Sequence, residues 1–159
     1  MARVIRLLIL VAIPLAFFVF SQAEALGATL FGIQWRGIGL VIGVMALMHG
    51  FSWVVGMNGE AYRAMGKPSY ETIVSATVLV IYLAAYLVSI RHGLEAFVWT
   101  RFALALGALL LHLLILRHLM SINLMPITRH LLAVTILAAV MTVPVGLVFN
   151  ASIMDAWQK

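Results

Sequence analysis

Five stretches of this chain carry no charged residue: those between Arg6 and Glu24, Arg36 and Glu60, Glu71 and Arg91, Arg101 and Arg117, and Arg129 and Asp155. A helix crosses the hydrocarbon core of a bilayer in roughly 20 residues, and in fewer where flanking arginines extend to the headgroups. Each stretch therefore reads as one crossing. Composition agrees: 65% of the residues are hydrophobic and 9% are charged, too few polar groups to cover a soluble domain of 159 residues. The links NGEAYRAMGKPSYE and RHGLE are short, so the helices they join are antiparallel neighbours. The expected fold is an all-α integral membrane protein, with spans two to five forming a four-helix transmembrane bundle over residues 26–159.

Residues 1–25 form an N-terminal unit of their own. MARVIR, LLILVAIPLAFFVF and SQAEA reproduce the basic, apolar and small-residue zones of a secretory signal, and AEA at 23–25 fits a cleavage site. The segment reads as a signal anchor or a cleavable signal peptide, with retention the favoured reading, and it is expected to pack outside the bundle or to be lost. With the N-terminus inside, Arg3, Arg6, Arg63, Lys67, Arg117 and Arg129 collect on one side, against Arg36, Arg91, Arg101 and Lys159 on the other. That bias predicts a cytoplasmic N-terminus and an outside C-terminus, in a bacterial cytoplasmic (inner) membrane. The net charge of +5 is thus assigned to topology and lipid headgroups, not to nucleic acid.

At 100° per residue the spans acquire faces. The second aligns Gly39, Gly43, Ala46 and Gly50, a small-residue stripe that lets another helix backbone approach closely. The third aligns Glu71, Ser75, Tyr82, Tyr86 and Ser89. The fourth aligns Arg101, Ala105, Ala108 and His112, and the fifth Thr128, Thr135, Ala139, Thr142 and Gly146. In lipid such small or polar stripes are expected to face inward, because apolar faces gain nothing by leaving the acyl chains. Pro144 leaves the Val140 carbonyl without its helical donor and predicts a kink there.

His49 and His112 fall at similar depths in spans two and four, where two neutral imidazoles could ligate a b-type haem. Hydrogen bonding to Tyr82, Tyr86 or Thr142 is the preferred reading; a quinone or proton-handling site is the alternative. Arg36 and Arg101 near the outer mouth could hold an anion or a quinone head, or close a salt-bridged rim. No catalytic constellation is present: the five acidic residues are scattered, and no H-E-x-x-H, G-x-S-x-G or P-loop pattern occurs. With no cysteine, thiolate metal sites, iron–sulfur clusters and disulfides are excluded, and no metal site is expected.

RGIGLVIGVMALMHG at 36–50, followed by YRAMGKP at 62–68, resembles the first-helix pattern of the DoxX-like membrane proteins. Arg36, His49 and Gly50 are the positions that carry over. The resemblance implies four-helix architecture and a membrane-accessory role, some members of that family being tied to quinone-linked redox complexes. Three function classes follow. The first, adopted here, is a non-catalytic accessory or structural subunit, with other membrane subunits or a second copy as partner and no cofactor. The runner-up is an electron-transfer or quinone-interacting subunit using His49, His112 and the tyrosine face. The third is a small oligomeric transporter.

Overall fold

A computed structural model describes residues 2–35, 37–56, 58–120 and 123–157. Among these residues every regular element is helical: α1 (Ala2–Ser21), α2 (Ala23–Phe31), α3 (Ile38–Trp53), α4 (Asn58–Ala64), α5 (Ser69–Ser89), α6 (Leu94–Met120) and α7 (Met125–Trp157), with single 3₁₀ turns at Ile33–Trp35 and Ile90–His92. Four of them, α1, α5, α6 and α7, are long and apolar enough to cross a membrane, and α3 is a shorter apolar helix. The protein is an all-α membrane helix bundle. At 16 residues α3 spans only about 24 Å, less than the ~30 Å hydrocarbon core. Two reversals fall at glycines with positive φ, Gly37 (92°) before α3 and Gly93 (95°) between α5 and α6, where a side chain would strain the backbone.

Membership of the bundle differs from the expectation. The first span does not lie outside: α1 packs on α3 and α7 more extensively than any other helices pack together. Its Ile9 and Ile13 are completely buried, and they join Phe51 and Val54 of the α3 end, Leu109 and Leu113 of α6, and Ile127 and Val134 of α7 in one core. The outlying helix is α5, which meets α6 and little else; 11% of its span is buried, against 33% for α1. Small residues explain the difference, because close approach in lipid depends on them. A Cβ on Gly50 would strike the Ala16 side chain, one on Gly43 would come within 3.0 Å of the Ala23 Cβ, and one on Gly146 would strike the Ser21 backbone. Two helices are thus notched to receive α1 and its continuation α2.

These contacts also fix direction. Glycines 39, 43 and 50 meet progressively earlier residues of α1–α2, so α3 runs antiparallel to them. Arg6 lies against His130 and Ser21 against Gly146, so α7 runs parallel to α1. Met48 and Phe51 meet Arg101 and Phe102, making α6 parallel to α3. α7 continues as one helix through Pro144. Thr142 donates its hydroxyl proton to the Ala138 carbonyl at 2.7 Å, one of several polar side chains that bond to their own helix.

Candidate functional site

The short helix α4 is the least apolar of the seven and holds a polar side-chain contact to α6. Tyr62 is fully buried beside Ala61 and Leu116, with Met65, Ile115 and Leu119 closing around them. Its hydroxyl lies 3.1 Å from His112 Nδ1, and the two rings stack at 6.2 Å with 22° between their planes. The partner of His112 is therefore a tyrosine from the α3–α5 connection, in place of Tyr82, Tyr86 or Thr142. Burial raises the Tyr62 phenol above its usual range and the nearby Glu71 carboxylate raises it further, so it stays protonated as a donor to the imidazole. On the water-facing side, Arg63 grips both Glu71 oxygens (3.2 and 3.4 Å) and reaches Glu60 at 3.4 Å. This exposed network contributes little energy but links α4 to the start of α5.

His49 has a different setting. It is exposed in a groove between α1 and α3, about 340 Å³ in volume, whose lining includes Ala12, Leu15, Ala16, Ala46, Gly50 and Trp53 and no residue of α6. No described residue hydrogen-bonds to it. His49 and His112 thus occupy separate environments, one open to the lateral surface and one closed by Tyr62.

Tyr82 and Tyr86 contact each other (ring centroids 5.7 Å), and Tyr86 packs on Phe97 of α6 at 5.0 Å. Their stripe faces a single neighbour, half-buried, and not the bundle core. Arg101, also half-buried, donates its Nε–H to the Met48 sulfur at 3.2 Å, a weak acceptor, and lies within electrostatic reach of Tyr82. Of the small residues, Gly39, Gly43 and Gly50 are buried against α1 and α2, where the Gly39 position abuts the Glu24 carboxylate; Ala105 is buried on α6, and Ala46 and Ala108 are half-buried. Arg36 lies outside the described residues. Among the described residues no cluster of three or more His, Cys, Asp or Glu side chains is placed to hold a metal ion.

Tyr62 is the functional-looking residue that sequence reasoning passed over. A signal existed: Ala61, Tyr62 and Met65 recur at helical spacing within the otherwise polar link, the mark of a short amphipathic turn. No protein-family model matches the chain, and no curated protein or solved structure is significantly similar to it.

Proposed function

We propose that this protein is a non-catalytic accessory subunit of a larger membrane assembly, with α1 retained as a structural helix. One observation carries the reading: the polar and small groups within the membrane are mostly committed to holding the chain together. His112 is bonded to Tyr62, Arg101 to Met48, and the glycines of α3 and α7 receive α1 and α2. A catalytic or redox site needs reactive groups converging on a shared cavity; here His112 and Arg101 serve packing, and His49 stands apart from both. The same reading accommodates the DoxX-like resemblance at 36–50, which implies an accessory role. With the N-terminus cytoplasmic, Arg3, Arg6, Lys67, Arg117 and Arg129 would lie toward anionic headgroups.

Affinity extraction of the tagged full-length chain in mild detergent, followed by native mass measurement, tests the proposal. Partner subunits at fixed stoichiometry are expected. A species that holds this chain alone, with a visible absorption band that bleaches on oxidation or reduction, would replace the proposal with a redox function.

A further inference from the structure

We propose that the α1–α3 groove is a self-association surface in which two copies of this chain meet about a two-fold axis at His49. This inference rests on the groove and holds whether or not a larger assembly exists. Ala12 and Ala16 of α1 and Ala46 and Gly50 of α3 make a shallow floor; Val11, Leu15 and Trp53, 65%, 59% and 61% exposed, stand as ridges beside it. Ridges next to a small-residue groove are the elements by which membrane helices interlock.

His49 decides the occupant. It faces this groove level with Leu15, and Leu15 is nine residues along α1 from Arg6, or about 13 Å at 1.5 Å per residue. If Arg6 marks the headgroup boundary, the imidazole sits near the middle of a core about 30 Å thick. A polar ring there, with no partner among the described residues, is costly in hydrocarbon. A phospholipid does not relieve that cost, because its own polar groups stay at the surface. A second copy does. All copies insert in one orientation, so an axis along the membrane normal brings His49 against His49 at identical depth. Neutral imidazole carries one donor and one acceptor, so one ring donates to the other.

The chain contains no cysteine, which makes single-cysteine cross-linking free of background. Leu15→Cys and Trp53→Cys, treated in native membranes with a short bifunctional thiol reagent, should give a cross-linked dimer. Leu83→Cys, on the outlying α5 and 59% exposed, should give none. In the Leu15→Cys background His49→Leu should weaken dimerisation roughly three- to tenfold, the range of an interhelical hydrogen bond in membranes, and His49→Asn should restore most of it. Because His49 bonds to no described residue, both variants should retain the wild-type helical signal and elute without aggregation. Absence of cross-linking at residues 15 and 53, equal cross-linking at 83, or a monomer that holds a small lipophilic molecule in the groove would each overturn the proposal. Failure of accessory-subunit extraction with cross-linking intact would count against the proposed function alone.

Discussion

α1 and α5 are helices of 20 and 21 residues, both apolar enough to span a bilayer, yet one is central to the molecule and the other hangs on its edge. Hydrophobicity does not separate them, since lipid solvates leucine and valine as well as a protein interior does. What separates them is who can approach. α1 presents Ala12 and Ala16 to the Gly50 position of α3, and Ser21 at its end abuts Gly146 of α7. α5 presents Tyr82 and Tyr86 on one face, and only the Tyr86 ring packs on α6, against Phe97. In a bilayer the order of packing follows the smallest side chains, and the first helix of the chain has them on the face that α3 and α7 are notched to accept.

The contrast can be broken most forcefully at the notches. Gly50→Leu must push α1 from α3, because its Cβ alone meets Ala16 and the Ala12 carbonyl; about 3 kcal/mol of stability should be lost in a detergent-denaturation titration. Gly107→Leu, where a Cβ meets nothing within 4 Å, should cost nothing measurable or give a small gain from helix propensity. Equal effects at the two glycines would remove the basis for ranking the helices.

Next in size, Ile13→Ala in α1 should cost about 2 kcal/mol. The cavity left by a fully buried side chain loses its dispersion contacts even where lipid removes the water-transfer part. Leu83→Ala in α5, where 59% of the side chain faces outward, should stay within ~0.5 kcal/mol. Tyr62→Phe sharpens the account at the N-terminal end of the bundle: losing the hydroxyl partner of His112 should cost about 1 kcal/mol and loosen α4, read as faster amide exchange at residues 58–64.

The smallest effect is a titration. The Tyr62 phenol is raised in the folded protein, first by burial and then by Glu71, so the folded state holds its proton more tightly than the unfolded chain. Its contribution to stability is complete below about pH 10, the ordinary phenol value, and is lost as pH rises through the elevated folded value. Phenolate absorbance of Tyr62, taken as wild type minus Tyr62→Phe, should therefore appear at higher pH in the folded protein than in the denatured chain. Appearance at the same or a lower pH would show that α4 is not docked.

Much of the fold was legible. Charge punctuation located every long helix, and the glycines at 39, 43 and 50 do lie against other backbone or side chains. Helix order was not legible, because each span's apolar positions look alike, and the basic–apolar–small grading of residues 1–25 fits a secretory signal as well as it fits a packed helix. Ala12, Ala16 and Ala23 were the clue to the second possibility. Tyr62 escaped for another reason: a seven-residue helix between spans carries too few turns for periodicity to stand out from a polar loop.

The proposed function makes α1 a structural member of the working protein. Intact-mass measurement of the protein extracted from membranes tests it most directly. Residues 1–25 present in the intact protein are the expected result. A mass reduced by those residues, in protein that remains folded, would contradict it and leave the notches at Gly50 and Gly146 without their occupant.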